Sequence, residues 1–201
     1  MSPRRRMSPD QRRAQLLDTG EKLFGEGRFE ELSMEDIAGH AGVTRALLYH
    51  YFPTKADFFG AIWQRAHESI STTLDLDAAP TARDGLVTAL TAYLDFYETH
   101  LPLVLIANRS AIASAPVVRA PVERAFRVLC EDVLDAVGAT GHRRRLAEAA
   151  FTGWIAFVRE TTLTALVDRG ISPAENLAMC VAALDSTVGA YADLGPPSRS
   201  E

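Results

Sequence analysis

Hydrophobic residues near the amino terminus recur at steps of three and four, which is the spacing of one face of an α-helix. The first such stripe consists of Leu16, Leu17, Gly20, Leu23 and Phe24. Before it, Ser8-Pro9-Asp10-Gln11 has the order of a capping box with proline at the first helical position, and Gly25-Glu26-Gly27 follows it as a stop signal. The pattern predicts a helix that begins near Ser8 and ends near Gly25.

Two short helices are predicted next, joined by a tight turn at Gly42. Ser33 can cap the backbone N–H of Asp36, Thr44 can cap a helix through Tyr51, and Pro53 prevents its continuation. Such a pair forms a helix-turn-helix. Its expected buried positions are Ile37, Ala38, Ala41, Val43, Leu48 and Phe52, while Arg45, Ala46, Tyr49 and His50 are expected to point away.

The outward face of the third helix combines a long cation with aromatic rings that carry polar edges, and we expect no acidic residue near it. Guanidinium and hydroxyl groups donate hydrogen bonds to phosphate oxygens and base edges, so this face suits a polyanion such as DNA. The alternative interpretation is a helical hairpin in which Tyr49 and Tyr51 only cover the core.

The stretch Gly42-Val43-Thr44-Arg45-Ala46-Leu47-Leu48-Tyr49-His50-Tyr51-Phe52-Pro53-Thr54-Lys55, preceded by Ser33-Met34-Glu35-Asp36-Ile37-Ala38, resembles the DNA-binding domain of the tetracycline-repressor (TetR) family of bacterial regulators. The resemblance covers roughly Ser8 to Trp63. It implies that Thr44 to His50 form a recognition helix in the major groove of DNA. The implied base contacts are Arg45, Ala46, Tyr49 and His50, and the implied phosphate contacts are Ser33, Thr44, Tyr51 and Lys55.

The rest of the chain is predicted to be a helical body. Thr54 and Asp57 can cap the next helix, whose apolar side carries Phe59, Ile62, Trp63, Ala66 and Ile70. Further helices are expected at about 81–99, 102–113, 121–137, 143–169 and 173–192, with a loop at Asp75–Pro80. The expected fold is all-α: a helix-turn-helix domain in residues 1–54, a helical effector-binding and dimerisation domain in residues 55–194, and a disordered tail in residues 195–201.

Two of the predicted helices near the carboxyl end bear on oligomeric state. Leu177, Val181, Leu184, Val188 and Tyr191 form a narrow seam that suits helix-on-helix packing. The helix before it is apolar nearly all round from Leu146 to Val158, with Gly153 and Ala156 allowing close approach. An ordinary monomer core and a homodimer both fit these patterns. The family resemblance implies a four-helix dimer bundle and a partly palindromic operator.

The same resemblance implies a small-molecule effector held inside the body. Candidate lining residues mix aromatic walls with a few hydroxyls, as small-molecule pockets do: Tyr93, Phe96, Tyr97, Phe126, Trp154, Phe157 and Thr161. The alternative is that these side chains simply pack the core. Arg159 and Glu160, within an otherwise apolar helix, are predicted to be partners, pocket charges or an exposed edge.

Composition and charge narrow the classes of protein. The chain has 201 residues, of which 47% are hydrophobic and 8% aromatic, which favours a folded helical protein. Its net charge is −5, divided between +1 in residues 1–55 and −6 in residues 56–201, so the amino-terminal part is the less acidic. The basic arm Arg4-Arg5-Arg6 could attract DNA or remain a solvated tail, and initiation at Met7 would delete it.

No membrane span or secretory signal is recognised, and we expect a cytoplasmic location. Cys130 and Cys180 are predicted to be buried small hydrophobes, with no metal site and no cofactor. The run His142-Arg143-Arg144-Arg145 is interpreted as a charged helix start. No catalytic motif is recognised. The prediction is therefore a ligand-responsive DNA-binding repressor, with an activator or protein-controlled regulator, or a small-molecule carrier, as alternatives.

Overall fold

A computed structural model describes residues 7–71 and 79–196 of the chain, and the regular structure in these ranges is entirely α-helical. The expected all-α class is thus confirmed. The helices are α1 Pro9–Gly25, α2 Met34–His40, α3 Arg45–Tyr51, α4 Lys55–Ser71, α5 Ala82–Thr99, α6 Leu101–Arg109, α7 Pro116–Ala136, α8 Gly141–Asp168 and α9 Pro173–Thr187. Four parts of the sequence predictions lie outside the described residues: the arm at 4–6, the Ile70 side chain, residues 75–78 of the expected loop and residues 197–201 of the tail.

Polar side chains define where the first helices begin, as their sequences predict. Ser8 Oγ accepts from Gln11 N at 3.2 Å while Ser8 N donates to Gln11 Oε1 at 3.0 Å, which completes a capping box. Thr54 Oγ1 accepts from Asp57 N at 3.0 Å. Because each cap pairs backbone donors that a helix start leaves without a partner, the helix limits follow from local sequence.

The chain divides into two compact units. One contains the described residues up to His67 together with Pro102–Pro121, and the other contains Glu68–Leu101 and the chain from Val122 onward. The sequence analysis divides the chain by function instead, with DNA binding in residues 1–54 and effector binding and dimerisation in residues 55–194. This division by function stays a prediction.

Aromatic rings from α1, α4 and the loop after α1 form the core of the first unit. Phe24 is fully buried, with ring centroids of Phe29, Phe58 and Phe59 at 5.1, 5.8 and 6.1 Å. The whole predicted stripe of α1 is buried. Gly60 of α4 permits a close approach of α7, because a Cβ there would lie 2.9 Å from the carbonyl oxygen of Val117.

The second unit is built on the packing of α8 against α9. Trp154 Nε1 donates to Cys180 O at 2.8 Å, and Asn176 Nδ2 donates to Thr162 Oγ1 at 3.1 Å in a buried position. On α5, Arg83 binds both carboxylate oxygens of Asp185, each at 2.7 Å. These bonds fix the relative register of three helices.

Both cysteines are free and buried, as predicted. Burial raises the pKa of the Cys130 thiol to about 11 and also raises the pKa of Cys180. Neither side chain is therefore a thiolate at neutral pH, and both behave as small apolar groups. None of the helices in the described ranges is long and apolar enough to cross a membrane.

Three predicted helix limits were wrong. The helix expected to start at Pro121 starts at Pro116 and contains that proline. Pro121 has no N–H and so cannot donate a hydrogen bond to the carbonyl of Val117, four residues earlier. This carbonyl instead lies close to Gly60, which has no side chain. The structure also ends α6 at Arg109 and α9 at Thr187 rather than at residues 113 and 192.

Two of the five residues of the apolar seam pack inside the single chain. Leu184 and Val188 are both fully buried without any second copy present. These two positions therefore belong to the core of the second unit, because their contacts are satisfied within the chain. Leu177 and Val181 are half-buried and Tyr191 is exposed, so the seam as a whole fits a monomer core and a homodimer alike.

Candidate nucleic-acid interface

The turn between α2 and α3 has the geometry of a Schellman motif. Gly42 has φ +65°, its N–H donates to Gly39 O at 3.1 Å, and Val43 N donates to Ala38 O at 3.0 Å. The left-handed conformation favours glycine at this position. After it, Thr44 Oγ1 accepts from Leu47 N at 3.2 Å and starts α3. Local sequence thus sets the angle at which α3 leaves α2.

Burial divides the two short helices as the sequence predicts, except at Val43 and Tyr49. The buried positions include Ile37, Ala38, Ala41, Leu48 and Phe52. Val43 was predicted to be buried but is only half-buried, because it lies in the turn. The outward positions Arg45, Ala46 and His50 are exposed, and Tyr49 is half-buried.

An acidic side chain lies directly beside this outward face. Arg45 Nε and Glu35 Oε1 form an ion pair at 2.7 Å, and both side chains are exposed. The expectation of a face with no carboxylate near it was therefore wrong. The residues are ten positions apart, and the Gly42 turn brings the first turns of α2 and α3 together. The sequence does hold a signal for this contact: Glu35 and Arg45 have opposite charges, and each lies in the first turn of one of two helices that a tight turn joins.

Two expected phosphate contacts, Ser33 and Thr44, serve as helix caps. Ser33 Oγ accepts from Asp36 N at 3.1 Å and donates to Asp36 Oδ2 at 2.5 Å. These hydrogen bonds from Ser33 lower the pKa of Asp36. A phosphate contact from Ser33 would therefore require its O–H to leave Asp36. Thr44 acts as an acceptor in its cap, which leaves its own O–H to donate.

The other two expected phosphate contacts, Tyr51 and Lys55, tie α3 and α4 to the start of the chain. Tyr51 Oη donates to Pro9 O at 3.3 Å, and Lys55 Nζ donates to Phe29 O. The Lys55 ammonium also lies 4.1 Å from the centroid of the Phe29 ring. Burial lowers the pKa of Lys55. An ammonium has three donors, so the bond to Phe29 leaves two for a phosphate.

Arg65 joins α4 to α1 within the first unit. Its Nη1 donates to Asp18 Oδ1 at 2.7 Å and its Nη2 donates to Glu21. Partial burial lowers the pKa of Arg65, but the hydrogen bonds to Glu21 and Asp18 together outweigh it, so the pKa is raised overall. The two carboxylates fix one face of α4 on the helix that supports α2 and α3.

The residues predicted to line an effector site fall into separate groups within the second unit. Tyr93 donates to Tyr97 Oη, and the Tyr93 ring meets Phe126 with centroids 5.6 Å apart. Burial first, and then the neighbouring Tyr97, raises the pKa of Tyr93 well above its ordinary value. Phe96 is buried and stacks on His100.

The three candidates on α8 differ in environment. Trp154 is buried and bonded to Cys180 O, while Thr161 Oγ1 lies 3.5 Å from Cys180 Sγ. Phe157 is 40% exposed. The tyrosine pair with Phe126 and the pair of Trp154 and Thr161 at Cys180 are two groups, and their role in effector binding stays a prediction.

The charged residues of α8 have partners within the second unit. Arg144 donates to Asp135 Oδ1 at 2.5 Å and to Glu148 Oε1 at 3.0 Å, and Arg143 donates to Ala190 O at 3.2 Å. Arg159 pairs with Glu160 at 3.2 Å, which is one of the three alternatives that the sequence allows. The basic run at 142–145 is a charged helix start, as predicted.

Comparison with known proteins agrees with this geometry. The profile described as bacterial regulatory proteins, tetR family, matches residues 16–62. The HTH-type transcriptional activator FasR of Mycolicibacterium smegmatis is 27% identical over 147 residues, which span 70% of this chain and 67% of FasR.

Two solved structures extend the similarity to nearly the whole chain. A tetR-family transcriptional regulator from Streptomyces coelicolor is 29% identical with a TM-score of 0.74, covering 92% of this chain and 85% of that one. The transcriptional regulator FadR of Bacillus subtilis, in complex with stearoyl-CoA, is 18% identical with a TM-score of 0.65, covering 87% and 97%. At that identity, the likeness to FadR concerns the fold alone.

The capped helix-turn-helix and the helical second unit define a DNA-binding transcriptional regulator. Residues 16–62 match the model of the TetR family, and nearly the whole chain is similar in fold to a solved regulator of that family.

Proposed function

We propose that the chain is a ligand-responsive repressor that binds a palindromic operator as a homodimer and leaves it when a small molecule binds. The observation that carries the proposal is the outward face of α3, where Arg45, Ala46 and His50 are exposed on a helix with defined ends. A short, rigidly presented helix of this kind can enter the major groove and contact base edges. In this proposal residues 1–54 read DNA, residues 55–194 bind the effector and dimerise, and the protein works in the cytoplasm.

The small-residue face of α8 and α9 supports the homodimer. Gly153, Ala156 and Ala182 are exposed in the single chain, beside the exposed larger side chains Phe157 and Met179. Small side chains allow helix backbones to approach closely, and apolar area at the surface favours association. A two-fold dimer presents two α3 helices to half-sites about 34 Å apart, or a multiple of that distance.

The dimer is tested with one substitution and a matched control. Ala182→Arg places a long cation on the proposed interface, whereas Ala125→Arg places it on an exposed position of α7. Light scattering after gel filtration at micromolar concentration measures the mass of each variant. We expect the control and the unmodified chain to be dimers and Ala182→Arg to be a monomer. An unmodified chain that is monomeric in solution and does not dimerise on DNA would exclude the homodimer.

Effector control rests on the aromatic groups of the second unit and on the ligand of a similar fold. Tyr93, Tyr97 and Phe126 combine apolar rings with buried hydroxyls, a composition suited to a largely apolar ligand with a polar group. FadR of Bacillus subtilis was solved with stearoyl-CoA, so stearoyl-CoA is the first ligand to test. Release of the operator at increasing concentrations of stearoyl-CoA, measured by fluorescence anisotropy, would identify an acyl effector.

An activator is the second candidate, because the similar protein FasR is described as a transcriptional activator. The two functions differ in the sign of the response and share the same DNA-binding face. A reporter gene placed behind the recovered operator separates them: deletion of the regulator raises expression for a repressor and lowers it for an activator.

DNA binding is tested by selection from genomic fragments. The full chain is incubated with fragmented DNA from its own source at about 0.1 M salt, which screens part of the non-specific attraction, and the retained DNA is sequenced. We expect one inverted repeat to be enriched, and we expect Tyr49→Ala to lose it while keeping its thermal unfolding. A folded protein that enriches no sequence would refute the repressor and favour a small-molecule carrier.

A further inference from the structure

An ion pair connects the two helices of the helix-turn-helix at the point where α3 begins. Glu35 is the second residue of α2 and Arg45 is the first residue of α3. Arg45 Nε lies 2.7 Å from Glu35 Oε1, with 66% and 44% of the two side chains exposed. The pair is thus part of the surface that faces DNA in the proposed function.

The ring of Tyr49 restrains the same guanidinium from a second direction. Arg45 Cζ lies 5.2 Å from the centroid of this ring, one helical turn further along α3. A cation above an aromatic face is held by the ring quadrupole. The carboxylate thus attracts the guanidinium from beside Nε, while the ring limits its rotation.

A guanidinium has five N–H donors, and the contact with Glu35 engages the Nε side. The edge formed by the two Nη groups remains available. This edge has the geometry for a bidentate contact with O6 and N7 of guanine in the major groove.

The location of Glu35 is unfavourable for DNA affinity taken alone. A carboxylate on a DNA-facing surface repels phosphates, and an exposed ion pair contributes little to folding. Orientation of the arginine is a benefit that matches this position, since a long side chain held in one rotamer loses less freedom when it binds a base.

We propose that Glu35 is a positioning residue that holds Arg45 in the conformation that reads a guanine. This inference rests on the proposed function of α3 in DNA binding and adds a specificity determinant outside that helix. Glu35→Gln keeps the shape of the side chain and removes its charge. Preference for guanine at the base pair read by Arg45 should fall by roughly threefold to tenfold, in the lower part of the range of coupling between residues in direct contact.

Affinity for scrambled DNA should change in the opposite direction. Loss of one negative charge beside the phosphates should strengthen non-specific binding by roughly twofold to threefold at low salt. A purely structural role for Glu35 would weaken binding to all sequences alike. The two signs together distinguish positioning from general stabilisation.

Glu31→Gln is the matched control. Glu31 precedes α2, is exposed and pairs with Arg28 at 3.8 Å, so the change of charge is the same but the contact with Arg45 is untouched. We expect a similar gain on scrambled DNA and no change in base preference.

The experiment is a selection from a DNA pool in which the recovered operator is randomised. Base preference is measured at every position of the operator. The proteins compared are the unmodified full chain, Glu35→Gln, Glu31→Gln, Arg45→Ala and the double variant Glu35→Gln with Arg45→Ala. We expect Arg45→Ala to abolish one guanine preference, Glu35→Gln to weaken that same preference, and the double variant to match Arg45→Ala. Circular dichroism checks that all variants fold.

Three results would overturn the inference. Unchanged preferences in Glu35→Gln would remove its positioning role, and a change at a different base pair would indicate that Glu35 contacts a base itself. An Arg45→Ala variant that keeps every preference would show that Arg45 reads no base. If the unmodified chain enriches no sequence at all, the proposed function fails and the inference falls with it.

Discussion

Replacement of Lys55 by methionine separates a structural role from a phosphate contact. Lys55 Nζ donates to Phe29 O and lies over the Phe29 ring, and thereby ties the start of α4 to the loop after α1. Methionine keeps an unbranched apolar stem but has no charge and no donor. The substitution therefore removes the ammonium contacts with little change in packing.

The expected loss of stability follows from the two contacts. A hydrogen bond from a charged donor contributes roughly 1.5–3 kcal/mol, and a cation–π contact at an exposed site about 0.5–1 kcal/mol. Lys55 is only half-buried, so water replaces part of both contacts. We expect Lys55→Met to lower the free energy of unfolding by about 1–2 kcal/mol.

Urea unfolding followed by tryptophan fluorescence measures this loss, because Trp63 lies buried in the same unit. Lys22→Met is the control: it removes the same charge from an exposed position of α1 and should change stability by less than about 0.5 kcal/mol. Equal stability of the Lys55→Met, Lys22→Met and unmodified chains would refute the structural argument.

Salt dependence of DNA binding tests the phosphate contact independently. One lost phosphate contact reduces the slope of log affinity against log salt by about 0.9, and it weakens binding to operator and scrambled DNA by similar factors. We expect both effects for Lys55→Met and neither for Lys22→Met. An unchanged slope together with lost stability would leave Lys55 as a structural residue only.

Three further experiments test the packing and the caps. Gly60→Ala should lower the free energy of unfolding in urea by roughly 1–3 kcal/mol, because a Cβ at this position would press on the carbonyl of Val117 in α7. Gly39→Ala is the control: a Cβ at Gly39 in α2 meets no atom outside its helix, and the substitution should stabilise the chain by about 0.5–1 kcal/mol. A double-mutant cycle on Arg83→Ala and Asp185→Ala should give a coupling of roughly 1–2 kcal/mol, and a value near zero would contradict the bidentate bond. Hydrogen bonds from Ser33 lower the pKa of Asp36 in the folded chain below its ordinary 3.8. The ionised side chain therefore stabilises the folded chain at pH values above 3.8, and this contribution is lost as the pH falls through the lowered folded-state pKa. Asp36→Asn should flatten the acid side of the stability profile measured by thermal unfolding, and an unaltered profile would contradict the assignment.

The DNA-binding half of the site could be predicted from sequence because its geometry is local. Ser33 and Thr44 each bond to a backbone group three residues away, and Gly42 completes a motif within five residues. Such contacts depend on residue type and spacing alone. The exposed face of α3 follows once its ends are fixed.

The roles of single polar groups on that face could not be predicted in the same way. Glu35 meets Arg45 across the turn, and Lys55 meets the carbonyl of Phe29, which is 26 residues away. Both contacts depend on the angles between helices and on the path of a loop. Periodicity identifies which face of a helix is exposed, but it carries no information about which neighbour lies opposite.

The same distinction explains why the body was harder to interpret than the DNA-binding part. An apolar seam at heptad-like spacing fits equally well between two helices of one chain and between two chains. Leu184 and Val188 are fully buried within the chain, so their spacing reflects the packing of α9 on its own unit. The exposed surface of α8 and α9 combines the small residues Gly153, Ala156 and Ala182 with the larger side chains Phe157 and Met179. Gly153 and Ala156 indicate that another helix approaches α8 closely, but residue spacing carries no information about whether that helix belongs to the same chain or to a second copy.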